Sequence, residues 1–543
     1  MQTYKIRGIL VFFFFCLCYL IVLGNLIYLQ LIQHTFFTQL GEKQYHVSIT
    51  NYPPRGLILD RSGKNYLAIN KDSLASFMLP RQLEMRPQLE KFLAKNFPAA
   101  LERLKSHKNA HFLYIQRKLT PEQLELIHRS DISDIKILAE PNRFYPLPAA
   151  ASLIGITDID NKGLFGLELQ FDKQLAGSPS TVTLEKDARS GHFYFTKETT
   201  QEGYNAQPLQ ITIDSDLQFL AYEALQDTID KYRAKEGAVI IIDPNSGHIL
   251  AMTNYPSFNP NNFAEKDLSI TKNTSLTEAY ELGSVFKIPS ALAALEEKVV
   301  TTDELIDCKN AETAYIDGRK INTVHAAGII PFEEVITTSN NIGIAQVAQR
   351  VGTRLYDHYS KLGFGKKSGI PFPGENKGFI NPPANWSKQS IISLSYGYEV
   401  SANLLQLARA FCIIANGGYW IDPQLLFGLS QGKKQKLYSD ETITIIKDLL
   451  EKTTAQGTAR KAHIKGYRIM CKTGTANMLE NGHYNPDRNI FTCAGIVEKD
   501  GYQKVIVVFI KEVAQKDLYA STVAAPLFEQ IAERVLINDK IIF

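Results

Sequence analysis

Cysteine is scarce in this chain. Six occur in 543 residues, and two of them, Cys16 and Cys18, sit inside the one long uncharged run. The other four, Cys308, Cys412, Cys471 and Cys493, match no metal-ligand spacing and make no dense disulfide framework. They read as buried free thiols, although Cys471 and Cys493 fall where two strands could lie side by side. An excess of charge is missing too. Lys and Arg number 59 against 56 Asp and Glu, a net charge of +3. No basic stripe interleaved with aromatics runs along the chain, which sets nucleic-acid binding aside. Internal repeats and low-complexity segments are absent, which excludes solenoids and linker-dominated architectures. What is present is the composition of a folded protein, 45% hydrophobic and 21% charged, in a length that suggests more than one domain.

The uncharged run covers residues 8–32 and follows Lys5 and Arg7. It exceeds the roughly 20 apolar residues needed to span a bilayer. A cleaved signal peptide has a shorter apolar core and a small-residue cleavage site, and neither fits here. The segment therefore reads as an uncleaved anchor. The positive-inside rule puts residues 1–7 in the cytoplasm and everything after the anchor outside, and no later run is long and apolar enough to return.

From residue 52 to about 235 the sequence mixes short strand-like runs, a helical stretch over 87–104 and several glycine turns. Near Glu236 the texture changes. "GAVIIIDPNSGHILAMTNYPSF" reads as two apolar strands joined by a tight turn at 243–247. Helical periodicity follows after Ser284 and over 337–351, 404–415 and 439–451, with a terminal helix over 524–537. Strand-like runs at 467–471 and 504–510 complete a pattern of helices set against a mainly antiparallel sheet. The expected organisation is a tail (1–7), an anchor (8–32), a non-catalytic pedestal (33–235) and a catalytic domain (236–543).

Three short motifs carry chemistry. Ser284 and Lys287, in "ELGSVFKIP", stand three apart at the start of an apolar helix, so hydroxyl and amine share a face. Alone, that spacing reads as a helix cap followed by a solvated lysine. It recurs at Ser269–Lys272 and Ser430–Lys433. Ser339-Asn340-Asn341 forms a polar corner between two helical stretches, with competitors at Ser257-Phe258-Asn259 and Ser401-Ala402-Asn403. Lys472-Thr473-Gly474-Thr475 ends an apolar strand, and its competitor Lys367-Ser368-Gly369 lies in a Gly/Pro-rich loop. The three in this order, each on a suitable element, are far more specific than any one.

S-x-x-K, S-x-N and K-T-G in series resemble the set found in penicillin-binding proteins and β-lactamases. Beyond it, "PPRGLILDRSGKNYLAIN" at 53–70 looks like the R-G-x-x-x-D-R-x-G signature of class B penicillin-binding proteins, with Arg55, Gly56, Asp60, Arg61 and Gly63 in place. "GLFGLELQFDKQLAG" at 163–177, which contains Gly166 and Glu168, and "KDARSG" at 186–191 resemble the remaining pedestal motifs. "FPGENKG" at 372–378 and "GTARKAHIKGYRIMCKTGTAN" at 457–477 favour the division-specific branch over the elongation branch. One departure is Glu399, in Tyr396-Gly397-Tyr398-Glu399, where the family often has a second glycine.

The resemblance implies a mixed α/β penicillin-binding transpeptidase fold, mainly antiparallel sheet flanked by helices, with an N-terminal α+β pedestal and one transmembrane helix. It implies a serine D,D-transpeptidase acting on peptidoglycan stem peptides and stopped by β-lactams. Ser284 would be the nucleophile. Lys287, lowered in pKa by burial and by Lys472, would be its base. Ser339 and Lys472 would relay the proton to the departing D-alanine, and Asn341 would hold Lys287 and the substrate amide. The backbone N–H groups of Ser284 and Thr475 would form the oxyanion hole. Thr473 and Thr475 would bind the terminal carboxylate, and Gly474 would let the substrate backbone approach the strand. No metal or nucleotide is required. A separate membrane glycan polymerase and other division proteins are the implied partners, since no region resembles a glycosyltransferase. The alternatives are an elongation-type transpeptidase, hydrolysis as a D-alanine carboxypeptidase or β-lactamase, and a membrane β-lactam sensor or scaffold with a dead site. Glu399 and Asn403 match a deacylating E-x-x-x-N spacing loosely, and they read better as part of a helix cap.

Overall fold

A computed structural model describes residues 2–186, 193–263, 268–432, 434–480 and 482–541. The "KDARSG" motif beyond Lys186 and Lys433 of one competing S-x-x-K lie outside the described residues. The chain divides into two compact units, one of residues 1–55 and 176–207, the other of residues 56–175 and 208–543.

The first unit opens with the helix Gln2–Ile27, which continues through a π-helical turn at Tyr28–Ile32. Over Lys5–Ile32 the mean hydropathy is 2.6 and none of the segment is buried. At 1.5 Å per residue it is about 42 Å long, more than the ~30 Å of a bilayer's hydrocarbon core. It is the only helix among the described residues long and apolar enough to cross a membrane. The unit also holds a three-stranded antiparallel sheet, in which Ser180–Lys186 pairs with both His46–Asn51 and Phe193–Gln201.

In the second unit, the long strand Tyr66–Met78 pairs antiparallel with Lys136–Phe144 and with Leu113–Gln116. The predicted helix over 87–104 is two helices, Arg86–Asn96 and Pro98–Ser106. Pro98 accounts for the break, because it has no N–H for the ladder and fits only the first turn of a new helix. Leu89, Leu93 and Leu104 from these helices close a small core with Met78 and Ile115.

Helix α1 (Ser215–Tyr232) follows, capped by Asp214, whose carboxylate accepts from the N–H groups of Asp216 and Leu217. The predicted hairpin follows as β1 (Glu236–Ile242) and β2 (Ile249–Tyr255). In its turn, Asp243 Oδ1 accepts from Asn245 N at 2.9 Å and Ser246 N at 3.1 Å. Next come α2 (Lys287–Glu296), a small hairpin β3 (Thr313–Ile316) and β4 (Arg319–Asn322), then α3 (Phe332–Thr337) and α4 (Asn341–Val351). Helices α5 (Ser390–Ser395), α6 (Leu404–Ala415) and α7 (Asp440–Ala455) lead to β5 (Arg468–Glu480), β6 (His483–Lys499) and β7 (Tyr502–Lys511). The terminal helix α8 runs Ala520–Asn538, starting a turn earlier than its periodicity suggested.

The central sheet has the order β2-β1-β7-β6-β5, antiparallel throughout. Both faces are covered, so β1, β2 and most of β7 are continuous apolar runs rather than polar–apolar alternations. Val239 and Ile241 face a core shared with α1 and α8, while Ala238, Ile240 and Ile242 face a second core containing α2 and α6. The same alternation in β5 sends Cys471 to the first core and leaves Lys472, with Met470, on the other face. Cys471 and Cys493 lie on adjacent strands as buried free thiols. They are diagonal neighbours, because Cys493 pairs with Thr473 and Cys471 with Gly495.

Candidate active site

Ser284 does not cap α2. It lies inside a 3-10 turn, Gly283–Phe286, that leads into the helix; Leu282 is the capping position of the turn and Phe286 that of α2. This turn abuts β5. A Cβ on Gly474 would fall 2.5 Å from Leu282 O and 3.1 Å from Val285 N, and one on Gly283 would fall 2.8 Å from Thr475 O. Gly474 was expected to admit a substrate backbone. In the structure its missing side chain leaves room for the serine turn. Gly283 also has φ +59°, a conformation glycine adopts at little cost.

Lys287, one position past the turn, is fully buried. Its Nζ donates to Ser339 Oγ at 3.0 Å and also to the Ser339 carbonyl. From β5, the equally buried Lys472 Nζ donates to the same Ser339 Oγ at 2.9 Å and to Thr473 O at 3.0 Å. Ser339 occupies the corner between α3 and α4 with φ +62°, a strained conformation for a residue with a side chain. It is held there because Asn340 caps α4, its Oδ1 accepting from Ile342 N and Gly343 N at 2.9 Å each. The predicted helix over 337–351 therefore starts only at Asn341, and the corner offers both a hydroxyl and a carbonyl to Lys287.

Burial, and then the nearby charge of Lys472, push the Lys287 amine well below its ordinary pKa. Burial lowers Lys472 to about 8. The arrangement supplies one amine able to accept a proton and a second that holds its proton longer, joined through one hydroxyl. Asn341 was expected to hold Lys287, but the bonds of that lysine go to Ser339. The Asn341 side chain donates from Nδ2 to Asn322 O at 2.6 Å, and its backbone N donates to Thr323 Oγ1 at 3.3 Å. Its Oδ1 is buried without a partner among the described residues.

On β5, Thr475 Oγ1 accepts from Ala520 N at 2.9 Å, which leaves its own proton to donate. Thr473 Oγ1 donates to Thr458 Oγ1 at 3.0 Å. Thr458 was not singled out in the sequence. The signal was its glycine neighbour, since a Cβ on Gly457 would lie 2.3 Å from Thr337 O, pinning this loop to the end of α3. The competing motifs have local tasks. Asn403 caps α6 in a capping box with Gln406, and Ser368 donates its backbone N–H to buried Glu375 at 2.7 Å. Glu399 has φ +58° where the family often has glycine, and its carboxylate accepts from Asn381 Nδ2 at 2.7 Å.

Arg55 and Gly56 fall on either side of the division between the two units, and Arg55 is buried. Asp60 accepts from Ser62 N at 3.0 Å, from Asn65 Nδ2 at 2.9 Å and from Ser215 Oγ at 3.1 Å, so it joins the signature to the start of α1. Those hydrogen bonds hold its carboxyl below its ordinary pKa against the burial that would raise it. Arg61 Nη1 lies 3.9 Å from Asp214, and Gly63 has φ +68° in the turn. Gly166 passes so close to Gly155 that a Cβ would sit 2.6 Å from Gly155 N. Glu168 is fully buried and takes a 2.7 Å bond from Arg143 Nε.

A partly exposed Ser284 on a turn packed against β5, followed by a buried Lys287 that shares the Ser339 hydroxyl with Lys472, is the arrangement expected of a penicillin-recognising transpeptidase. Family models agree with the geometry. The penicillin-binding protein transpeptidase domain matches residues 237–533 and the penicillin-binding protein dimerisation domain matches residues 50–211. The chain belongs to the class B penicillin-binding proteins. It is 30% identical to a probable peptidoglycan D,D-transpeptidase, PbpC, of Pseudomonas aeruginosa over 98% of this chain and 94% of that one. It is 29% identical to the peptidoglycan D,D-transpeptidase FtsI of Escherichia coli over 95% and 89%. Penicillin-binding protein 3 of Mycobacterium tuberculosis, solved with aztreonam, has the same fold, with a TM-score of 0.70 at 23% identity over 91% of this chain and 98% of that one.

Proposed function

We propose that this chain is a membrane-anchored peptidoglycan D,D-transpeptidase that cross-links stem peptides at the division septum through an acyl-enzyme on Ser284. The observation that carries the reading is the single Ser339 hydroxyl shared by Lys287 and Lys472. Neutral Lys287 takes the Ser284 proton as Oγ attacks the carbonyl of the penultimate D-alanine. The backbone N–H groups of Ser284 and Thr475 receive the developing oxyanion, a contribution of about 3 kcal/mol in comparable sites. Collapse breaks the peptide bond, and the leaving D-alanine amine receives a proton through Ser339 and Lys472. Lys287 then passes its proton through the same hydroxyl to Lys472 and is neutral again. The amine of a neighbouring stem attacks the ester and gives a proton to Lys287, which returns it to Ser284 Oγ as the ester C–O bond breaks and the cross-link forms. Thr473 and Thr475 bind the donor's terminal carboxylate, and the buried Oδ1 of Asn341 offers an acceptor to a substrate amide.

The apolar helix supports a single-pass topology with residues 1–7 cytoplasmic and residues 236–543 acting outside the membrane. Glycan polymerisation falls to a membrane partner. The division role rests on the motifs at 372–378 and 457–477 and on the likeness to FtsI. Mass spectrometry after incubation with penicillin tests the chemistry. A stable adduct on Ser284, lost in Ser284→Ala, is expected. An adduct on Ser269 or Ser430, or rapid release of penicilloate, would overturn it. A fluorescent fusion gathered at mid-cell tests the septal assignment, and a uniform lateral distribution would refute it.

A further inference from the structure

Asn341 is anchored to a hairpin rather than to the lysine pair. Its Nδ2 and backbone N donate to Asn322 and Thr323, at the end of β4. The hairpin turns through Asp317 (φ +46°) and Gly318 (φ +78°), the tight pairing that Asp-Gly favours. The first residue after the turn is Arg319. Its guanidinium reaches across to Ser393 Oγ in α5, which is buried, and lies 3.9 Å from a Glu399 carboxylate oxygen.

The segment that Arg319 grips stands directly behind the nucleophile. Tyr398 N donates to Ser393 O at 3.0 Å and Gly397 N to Leu394 O at 3.1 Å, folding residues 396–399 back on α5. A Cβ on Gly397 would fall 2.2 Å from Gly283 O, so this turn touches the residue before Ser284. Glu399 N donates to Glu281 Oε1 at 2.9 Å, three positions before Ser284. The side chain of Arg319 therefore joins the hairpin to which Asn341 is hydrogen-bonded to the turn that touches the residue before Ser284, two segments far apart in sequence.

We propose that Arg319 is a positioning residue for the acyl transfer, fixing Asn341 relative to Ser284 by clamping the β3–β4 hairpin to the Tyr396–Glu399 turn. The proposal rests on the acyl-enzyme reading above. A planar, forked guanidinium can hold Ser393 and face Glu399 together, whereas an ammonium is a single point charge. Misplacement of a reacting group by about 1 Å can cost on the order of a hundredfold in rate. Partial loss of one clamp should cost about tenfold.

The test uses the full chain in detergent. The pre-acylation dissociation constant and the acylation rate constant for penicillin are measured separately in wild type, Arg319→Ala, Arg319→Lys, Asn341→Ala and the Arg319→Ala/Asn341→Ala double variant. Failure of the wild type to acylate at Ser284 would remove the functional reading itself. With the wild type active, the expected result is an acylation rate constant reduced about tenfold in both Arg319 variants. The dissociation constant should change less than about twofold, and every molecule should still be labelled at the end point. In the Asn341→Ala background, Arg319→Ala should add little, because both changes remove the same constraint. Should Arg319→Ala fail to fold, Arg319→Lys decides the matter by itself. A wild-type rate constant in Arg319→Lys overturns the proposal, as does full additivity with Asn341→Ala. A loss that merely tracks a smaller labelled fraction does so too.

Discussion

Replacing Lys472 by methionine keeps most of the side-chain volume on β5 and removes a charge. The Nζ atoms of Lys287 and Lys472 bond one oxygen at 3.0 and 2.9 Å, so they are no more than 5.9 Å apart. At an ordinary hydrogen-bond angle the separation is about 5 Å. With an effective dielectric of about 20, two unit charges at that distance repel by about 3 kcal/mol, equivalent to about two pH units. The Lys287 amine is lowered by burial first and by Lys472 second. Removing Lys472 leaves the burial effect and abolishes the repulsion, so the Lys287 pKa rises. As base, Lys287 works only when neutral, and a higher pKa means a smaller neutral fraction at any given pH. The acid limb of the acylation profile should therefore move upward by one to two pH units, roughly the Coulomb estimate. Wild type should also lose activity on the alkaline side as Lys472 releases its proton near pH 8. Lys472→Met should lack that limb. The assay is the rate of covalent labelling by a fluorescent penicillin at a fixed high concentration, read for the shape of the profile rather than its height. An acid limb left at its wild-type position, or an alkaline limb that persists, would refute the assignment of base and proton donor.

Lys287→Arg should be as damaging to penicillin labelling as Lys287→Ala, since arginine retains its proton at all accessible pH values; substantial labelling of the arginine variant would mean that Lys287 serves only as a charge. Gly474→Ala should displace the serine turn, because the added carbon would meet backbone atoms rather than a yielding side chain. Its labelling rate should fall on the order of a hundredfold while the melting temperature changes little, and a near-normal rate would show that the turn adjusts freely. In the pedestal, Arg143 and Glu168 form an ion pair with both side chains essentially inaccessible. Arg143→Ala should cost about 3 kcal/mol of stability, visible as a lower thermal midpoint, and a midpoint unchanged from wild type would contradict the burial argument.

The parts of this site legible in the sequence are those set by local spacing. Ser284 and Lys287 share a face because a helix repeats every three to four residues, and the β1–β2 hairpin announced itself through its Asp-Pro-Asn-Ser-Gly turn. Strand β5 showed only its apolar first half, because from Lys472 onward its residues are mostly polar or small. Strand β6 was hinted at only by Cys493, placed where a strand could lie beside that of Cys471, because its early residues are polar. The Ser339 bridge was legible as a motif but not as geometry. Nothing in Ser339-Asn340-Asn341 announces that Asn340 is the cap and that Ser339 takes a left-handed backbone. Arg319 carries no motif at all. Its meaning depends on Ser393 and Glu399, more than seventy positions away, and only the chain's tertiary path brings them together.

The order of the central sheet has a consequence for the birth of the molecule. Strand β7, the last to be synthesised, lies between β1, the first, and β6. Until residues 502–511 arrive, the β1–β2 hairpin and the β5–β6 pair are two separate ribbons, each with an open edge and an uncovered apolar face. Their joining is a long-range pairing of the kind that slows folding. The chain must be kept from sticking to its neighbours for almost the whole time it is being made and delivered, and it acquires its cleft in one late step. A ribosome stalled within α7 would release a product in which Ser284, Lys287 and Ser339 are all encoded and no strand exists to bring them a second lysine.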